Sequence, residues 1–352
     1  MRKKLSYYLF VLGCQMNKSD AERIRFLLNK AGAIETDEKK ADVIIVLACS
    51  VRQKPIDRIW GKLRNWQKAK KRVFLTGCIL PADKKRFAPK VEKLFSIDDI
   101  GYLPKWLGLS KKPFLAKDYL EIPPLPLSKD EAFVPIMTGC NNFCTYCAVP
   151  YCRGRERSRE KKKILDEIKQ LIKKGYKKII LLGQNVNSYR CPKTGAGFVQ
   201  LLKEVVKLPG DFKVEFITPH PKDFSDELID LIAQSKKIPK KIHLPVQSGD
   251  DEILKKMNRN YTVEDYLKLI NKLKKKIPNI KISTDIIVGF PGESKKAFEN
   301  TVRLVKKVGF YKAYIAMYSP RPNTTAFKMF KDDIPQTEKK RRWKILDQLI
   351  NQ

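Results

Sequence analysis

The sequence predicts an α/β protein in two parts, an N-terminal open parallel sheet followed by a partial (β/α)6 barrel. Two observations predict this fold. Apolar runs of strand length alternate with helical patterns along the chain, and one proline-rich stretch interrupts that alternation. With 352 residues and 43% hydrophobic composition, the chain is long enough for two domains and apolar enough to form a core. We therefore predict a domain at 1–116, a linker at 117–130 and a second domain at 131–352.

The N-terminal part predicts three strands separated by two helices. Apolar runs occupy residues 6–12, 42–47 and 72–76, and helical patterns lie at 19–32 and 56–66. A β-α-β-α-β order favours a parallel sheet with right-handed crossovers.

A cysteine follows each of these three strands, namely Cys14, Cys49 and Cys78. Because the carboxyl ends of parallel strands share one edge, where ligands bind, we expect the three thiols to meet there. Cysteine is also common as a small buried residue, but three in succession at strand ends favour a shared ligand. The first residues read as a strand and not as a signal peptide, so metal or cluster binding is favoured over disulfides.

The second part predicts six β/α units, too few for a closed eight-stranded barrel. Strands are expected at 133–137, 178–182, 212–217, 241–245, 281–288 and 313–318, and helices at 164–174, 198–206, 226–234, 263–274 and 296–308. Active sites of such barrels lie at the carboxyl ends of the strands. The residues expected at these ends are Cys140, Gly183 to Asn185, His220, Gln247 and Gly289.

The segment after the first of these strands carries a C-x3-C-x2-C triplet, Cys140, Cys144 and Cys147. Three thiolates can each bind one iron of a 4Fe-4S cluster and leave the fourth iron open. An open iron can bind the amino and carboxylate groups of S-adenosylmethionine (SAM) and lead to its homolysis into a 5′-deoxyadenosyl radical. The alternative is a zinc site with Cys152 as fourth ligand. The 3-then-2 spacing and the aromatic Tyr146 favour the cluster.

The net charge of +35 indicates a polyanionic partner, with nucleic acid as the first candidate. The alternative is a lysine-rich solvated surface without a specific partner. No run of about 18–20 apolar residues occurs, so we expect no membrane span and a cytoplasmic protein.

The motifs together resemble one group of radical SAM proteins, the methylthiotransferases. Within this group the sequence is similar to the tRNA-2-methylthio-N6-dimethylallyladenosine synthase family, rather than to the sisters that act on threonylcarbamoyladenosine or on a ribosomal protein. The motifs that carry the resemblance are GCQMN (13–17), ACSVRQK (48–54), YCAVPYCRGRERSR (146–159), LLGQNVNSY (181–189), HLPVQSGDDEILKKMNR (243–259), STDIIVGFPGE (283–293) and YSPRP (318–322).

The resemblance implies a flavodoxin-like first domain and a radical SAM barrel, each with its own 4Fe-4S cluster. Cys14, Cys49 and Cys78 would hold an auxiliary cluster, and Cys140, Cys144 and Cys147 the radical-generating one. Two SAM molecules per product would place a methylthio group on C2 of N6-isopentenyladenosine next to the anticodon of tRNA. Flavodoxin or ferredoxin is the expected electron donor, and we expect a monomer. The alternatives are the two sister substrates or a non-catalytic metal-bearing RNA-binding protein.

Further site residues follow from the same resemblance and from charge. SAM binding is assigned to Tyr146, Gly183, Gln184, Asn185 and Gly289, and RNA binding to Arg153, Arg155, Arg157, Lys339, Lys340, Arg341 and Arg342. A solvated charge run is the alternative for the basic residues. Cys152 and Cys191 are expected not to be ligands. Family members continue into a TRAM RNA-binding domain beyond the segment corresponding to 336–352, so we expect this domain to be absent here.

Overall fold

The computed structural model describes residues 4–116 and 118–352, and the chain forms two compact units. Unit 1 is made of Met1–Pro135, Ala148–Gly154 and Arg321–Asn323, and unit 2 of Ile136–Cys147, Arg155–Pro320 and Thr324–Gln352. Two short segments from beyond residue 135, Ala148–Gly154 and Arg321–Asn323, therefore belong to unit 1.

The described residues of unit 1 form six strands and five α-helices. The strands are β1 (Ser6–Val11), β2 (Ile34–Glu35), β3 (Val43–Cys49), β4 (Arg72–Cys78), β5 (Lys93–Leu94) and β6 (Glu131–Pro135). The helices are α1 (Gln15–Lys30), α2 (Gln53–Lys68), α3 (Pro81–Phe87), α4 (Leu103–Trp106) and α5 (Val149–Arg153).

A five-stranded parallel sheet of order β2-β1-β3-β4-β5 forms the centre of unit 1. Alternate residues of β3 enter two separate apolar clusters, Ile45 with the face covered by α1 and Ile44 with the face covered by α2. Such a sheet is buried on both faces, which explains the continuous apolar sequence of β3. In this strand order the crevice for ligands lies between β1 and β3, where the direction of winding reverses.

The segment predicted as a linker is packed in unit 1. Tyr119, Leu120 and Ile122 are buried in the α1-side apolar cluster, and the backbone amide of Leu125 donates to the carbonyl of Glu22 in α1. Lys117, which also falls in the predicted linker, lies outside the described residues.

In the part of the chain that the structure describes, unit 2 has seven strands and eight α-helices. The strands are β7 (Met137–Thr138), β8 (Arg157–Ser158), β9 (Lys178–Leu182), β10 (Lys213–Phe216), β11 (Lys241–His243), β12 (Lys281–Val288) and β13 (Lys312–Met317). The helices are α6 (Lys161–Lys173), α7 (Phe198–Lys207), α8 (Asp226–Gln234), α9 (Asp251–Lys256), α10 (Val263–Lys276), α11 (Lys295–Val308), α12 (Thr325–Met329) and α13 (Gln336–Ile350).

The strands of unit 2 are mainly parallel and follow the order of the chain. β9 pairs with β10, and β12 pairs with both β11 and β13. Helices α6, α7, α8, α10, α11 and α13 pack each against the next. This alternation confirms the predicted α/β architecture with a partial barrel. No helix within the described ranges has the length and apolarity needed to cross a membrane.

Candidate active site

Three cysteines lie at the carboxyl edge of the sheet in unit 1. Cys49 and Cys78 end adjacent strands and are register partners, and Cys14 stands at the N-cap of α1 directly after β1. Gly13 has φ +102°, and a Cβ atom there would lie 3.1 Å from the Sγ of Cys49. Only glycine fits this close approach, which draws the Cys14 turn against Cys49.

Asn17 fixes the backbone around these cysteines. Its side-chain amide donates to the carbonyls of Leu12, at 2.6 Å, and Ala48, at 2.8 Å, so it ties the ends of β1 and β3 together. The Sγ of Cys78 lies 3.5 Å from its Oδ1. The GCQMN motif therefore supplies a thiol, a tight turn and a clamp within five residues.

Arg321, from the YSPRP motif, braces the loop that follows Cys49. Its guanidinium donates to the carbonyl of Ser50 at 2.8 Å and to Asp83 at 2.5 Å, and it also binds Gln53. Because Arg321 belongs to unit 1, its contribution is to the shape of the three-cysteine edge.

The thiols of Cys49 and Cys78 are shielded from water. Burial raises the pKa of the Cys78 thiol to about 12, while the guanidinium of Arg153 opposes this shift. Burial also raises the pKa of Cys49. A buried thiol is deprotonated outright when it binds a metal, so these side chains suit iron and not free thiolate chemistry.

The second cysteine triplet lies on a single loop of unit 2. Cys140 and Cys144 are buried, and Cys147 is half-buried. The backbone turns sharply at Gly139 and at Phe143, whose φ angles are +77° and +48°. The amide of Cys147 donates to the carbonyl of Cys144 at 2.9 Å, which keeps the last two cysteines in one compact turn.

Residues after α9 hold this loop. The amide of Asn258 donates to the carbonyls of Asn142, at 3.1 Å, and Phe143, at 3.2 Å, which stabilises the left-handed conformation of Phe143. The carbonyl of Met257 accepts from the amide of Thr145. These contacts give Met257 and Asn258, within the motif at 243–259, a structural role that sequence analysis does not predict.

Arg259 brings a positive charge to the second triplet. Its Nη1 lies 3.5 Å from the Sγ of Cys144, and its Nε donates to the hydroxyl of Tyr261. Burial raises the pKa of Tyr146, and the neighbouring Cys144 adds to this shift. Burial, followed by Arg259 and Lys222, lowers the pKa of His220 to about 2, so His220 is neutral.

The turn after β9 presents polar atoms that the described protein leaves unpaired. Oε1 of Gln184 and Oδ1 of Asn185 are buried and accept no hydrogen bond within the described ranges, although Nδ2 of Asn185 donates to Asp223. Buried acceptors without partners are rare and mark a place for a donor from a ligand. Gly183 is close-packed, since a Cβ would lie 2.6 Å from the Met137 side chain.

The turn after β12 is built around a buried ion pair. The carboxylate of Glu293 accepts from the amide of Gly289 and from Arg342, both at 2.6 Å. Burial raises the pKa of Glu293, and these two donors oppose the shift. Lys339 packs beneath Gly289 and donates to Asp332.

The structure does not support RNA binding by three of the side chains predicted for it. Lys339 and Arg342 are buried with carboxylate partners at the turn after β12, and Arg153 is buried against Asp20 in unit 1. Buried, paired cations do not offer charge to a polyanion at the surface. The other four basic residues of the predicted set, Arg155, Arg157, Lys340 and Arg341, are exposed.

A substitution at Gly289 tests the packing of this turn. Gly289 has φ +68°, and an added Cβ would lie 2.3 Å from Cγ of Lys339. We expect Gly289→Ala to lower the free energy of unfolding by about 1–3 kcal/mol or more, measured by thermal or denaturant unfolding. Gly195→Ala is the matched control, because the φ of Gly195 is +70° but no atom of the described residues would lie within 4 Å of the added Cβ. Equal destabilisation by both variants would contradict a role for the Lys339 contact.

Both triplets fit a 4Fe-4S cluster by their chemistry. Within the described residues none of the six cysteines forms a disulfide, each triplet combines buried with more accessible thiols, and an arginine lies beside each triplet. Within residues 4–116 and 118–352, no three His, Cys, Asp or Glu side chains are grouped so as to hold a single metal ion. A cluster does not require such a group, because each thiolate binds a different iron.

Two known protein families match this chain, one in its N-terminal part and one in its second part. Residues 134–305 match the radical SAM superfamily, and residues 6–97 match the family described as uncharacterized protein family UPF0004. Fold and site thus define a radical SAM protein that carries an additional three-cysteine sheet.

Relatives that match nearly the whole chain identify the family within the radical SAM superfamily. The chain is 43% identical to the tRNA-2-methylthio-N(6)-dimethylallyladenosine synthase of Clostridium botulinum (strain Okra / Type B1), over 98% of this chain and 81% of the relative. It is 40% identical to the enzyme of that name from Thermotoga petrophila, over 97% of this chain and 81% of the relative. The chain belongs to the tRNA-2-methylthio-N(6)-dimethylallyladenosine synthase family.

Solved structures agree on the fold. The radical S-adenosylmethionine methyltransferase TsrM from Kitasatospora setae, bound to tryptophan and a SAM analogue, matches with a TM-score of 0.67 at 15% identity, covering 92% of this chain and 75% of that chain. Apo OxsB, a cobalamin-dependent radical enzyme, matches with a TM-score of 0.62 at 12% identity, covering 96% and 56%. At such identities the likeness shows the fold alone.

Proposed function

We propose that this protein is a radical SAM methylthiotransferase that adds a methylthio group to C2 of N6-isopentenyladenosine next to the anticodon of tRNA. The observation that carries the proposal is the presence of two separate three-cysteine sites, one in each unit. One triplet suffices to cleave SAM, whereas transfer of a sulfur group requires a second place to hold sulfur. The names of the full-length relatives support the same substrate.

In this proposal the two triplets hold clusters with different tasks. Cys14, Cys49 and Cys78 would hold the auxiliary 4Fe-4S cluster, a place for the sulfur to be transferred. Cys140, Cys144 and Cys147 would hold the second cluster, which would supply the electron for cleavage of SAM; one SAM molecule would give the radical and another the methyl group.

The chain's own residues position these reactants. The contacts of Met257 and Asn258 fix the loop of the second triplet, and Arg259 places a cation beside Cys144. The unpaired oxygens of Gln184 and Asn185 can accept hydrogen bonds from the amino group or adenine of SAM. Tyr146 packs on the apolar cluster around Met257 and Phe290, which shields this end of the barrel from water.

The partners follow from this chemistry. A separate one-electron donor, flavodoxin or ferredoxin, supplies the reducing equivalent, and the protein works as a monomer in the cytoplasm, where its tRNA substrate is found. The net charge of +35 supports binding of a polyanion.

Salt dependence tests the contact with tRNA. Lys340 is exposed and directly follows Lys339, which packs under Gly289 at the carboxyl edge of the barrel. We expect tRNA affinity to fall by about tenfold or more between about 50 and 200 mM salt, and Lys340→Gln to reduce the logarithmic salt slope by about one. The measurement is a filter-binding or fluorescence titration at several salt concentrations.

Lys275 provides the matched control. It is exposed at the end of α10, just before β12 begins, and therefore lies at the opposite, amino end of the strands. Lys275→Gln should leave the salt slope unchanged. If the tRNA affinity of the wild-type protein did not depend on salt, the positive net charge would be explained as a solvated lysine-rich surface without a specific partner.

The proposed function is tested by anaerobic reconstitution with iron and sulfide, followed by incubation with SAM, a reductant and tRNA. Nucleoside mass spectrometry should find the methylthio mass on isopentenyladenosine, and none on tRNA that lacks the isopentenyl group. Product on threonylcarbamoyladenosine instead would move the protein to the sister substrate. The loaded protein should contain about eight irons and about eight sulfides per chain, whereas one zinc without sulfide would exclude radical chemistry.

A further inference from the structure

Arg153 is a fully enclosed arginine in unit 1, although sequence alone places it in an exposed-looking basic run, RGRERSR. Its side chain is 2% exposed, and that of its partner Asp20 is 0% exposed. Removing a guanidinium from water carries a large energetic penalty unless its donors are satisfied. The positions of its donors therefore indicate what the residue is built to bind.

Every polar branch of Arg153 has a partner near the three-cysteine edge. Nη2 donates to Asp20 at 2.6 Å and to Asn17 at 2.9 Å, and Nη1 donates to the hydroxyl of Tyr119 at 3.1 Å. Nε donates to the Sγ of Cys78 at 2.8 Å. Asn17 and Tyr119 are uncharged partners and Asp20 supplies the carboxylate of an ion pair, but the fourth partner is a proposed iron ligand.

Asp20 and Asn17 fix the direction of the guanidinium. Asp20 holds Nη2 on one side, and Asn17 is itself held by the carbonyls of Leu12 and Ala48. The planar group has no freedom to turn away, so its Nε–H stays aimed at the Cys78 sulfur. Lysine could not reproduce this arrangement, because an ammonium group lacks the fixed fork of donors.

A cation and a hydrogen bond at a ligating sulfur act on the redox balance of an iron–sulfur cluster. Reduction adds negative charge, which is spread over the ligating sulfurs, and a donor to such a sulfur stabilises the reduced form. The effect is large in a dry environment, where charges are poorly screened. Cys78 is 4% exposed, so its surroundings meet this condition.

We propose that Arg153 is a positioning residue of the auxiliary site, which fixes the Cys78 thiolate and raises the reduction potential of the cluster that it binds. This inference rests on the proposed function, because it takes Cys78 as an iron ligand. It replaces the expectation that Arg153 contacts RNA. The two triplets differ in the distance from arginine to sulfur: Arg153 lies 2.8 Å from the Cys78 sulfur, whereas Arg259 lies 3.5 Å from the Cys144 sulfur.

The test uses the full-length chain with Cys140, Cys144 and Cys147 replaced by alanine, so that only the auxiliary cluster is loaded. Its reduction potential is measured by anaerobic titration followed by electron paramagnetic resonance, with iron and sulfide determined on the same samples. In this background Arg153→Gln is expected to shift the potential to more negative values and change the spectrum. Arg153→Lys keeps the charge but loses the Nε–H fork, so a smaller shift in the same direction is expected.

Arg25→Gln is the matched control. Arg25 lies on α1, as Asp20 does, is buried and binds Glu35 through Nε and Nη2, but none of its hydrogen bonds in the described part of the chain reaches a cysteine. Its loss controls for a missing buried cation and for reduced stability, and the potential should not move. An unchanged potential in Arg153→Gln, or an equal shift in Arg25→Gln, overturns the proposal.

Iron content separates the remaining outcomes. If the background protein binds no iron, the assignment of the auxiliary cluster fails, and the role of Arg153 fails with it. If the background protein and Arg25→Gln load a cluster but Arg153→Gln does not, Arg153→Lys decides. A shifted potential in that variant supports the proposal, and an unshifted one overturns it.

Discussion

Replacing Cys144 with alanine is expected to abolish the reductive cleavage of SAM. The thiol is buried, its loop is clamped by Asn258 and Met257, and Arg259 approaches its sulfur, so the Cys144 sulfur is held at a defined position in the loop. With two thiolates left, the site cannot hold a cluster with a single open iron. The measurement is 5′-deoxyadenosine formed under anaerobic reduction, quantified by liquid chromatography and mass spectrometry.

Cys152→Ala is the control for this experiment. Cys152 is half-buried on α5 and is the residue that a four-thiolate zinc site would recruit. Cleavage should persist in this variant. Continued 5′-deoxyadenosine formation by Cys144→Ala would refute the ligand assignment, and its loss in Cys152→Ala would contradict the prediction that Cys152 is not needed by the site.

Replacing Cys49 with alanine is expected to separate the two halves of the reaction. Cys49 ends β3 in unit 1, beside Cys78 on β4, and the loop of the second triplet belongs to unit 2. SAM cleavage should therefore remain measurable while methylthio product disappears. Both quantities are obtained from one anaerobic reaction, by measuring 5′-deoxyadenosine and by digesting the tRNA to nucleosides.

The control for Cys49→Ala is Cys191→Ala. Cys191 is buried in unit 2 outside both triplets, where its sulfur accepts from the amide of Lys161. It should retain both cleavage and product. If Cys49→Ala still made methylthio product, the auxiliary site would have to be placed elsewhere, and if it lost cleavage as well, the two triplets would not be separable.

Much of the fold follows from sequence periodicity. β3 reads as an unbroken apolar run because it is covered on both faces, and the predicted helix at 226–234 matches α8 at both ends. Ser225 caps α8 and gives a clear start signal. The convergence of Cys14, Cys49 and Cys78 was predictable because parallel strands end at a common edge.

Side-chain roles within basic runs could not be predicted in the same way. Arg153 and Arg155 look alike in sequence, but one is buried with Asp20 and the other is exposed over the ring of Phe143. The two arginines differ in burial because Arg153 pairs with Asp20, which lies 133 residues away in the sequence. The contact of Arg321 with Asp83 depends on similarly distant pairing.

The C-terminal helix did contain a usable signal. Lys339, Arg342 and Leu346 are spaced by three and four residues, so they share one face of α13, and all three are buried. A helical stripe that ends in leucine indicates that the charges on it face inward. This spacing separates the buried cations Lys339 and Arg342 from Lys340, which lies on the exposed side of α13.

The most direct test of the proposed function is to trace the hydrogen at C2 of the target adenosine during the reaction. The reconstituted protein is given SAM, a reductant and tRNA whose isopentenyladenosine carries deuterium at C2, and the 5′-deoxyadenosine is analysed by mass spectrometry. We expect deuterium in 5′-deoxyadenosine, together with methylthio product on the same nucleoside. Methylthio product accompanied by 5′-deoxyadenosine free of deuterium would refute the proposed radical chemistry at C2.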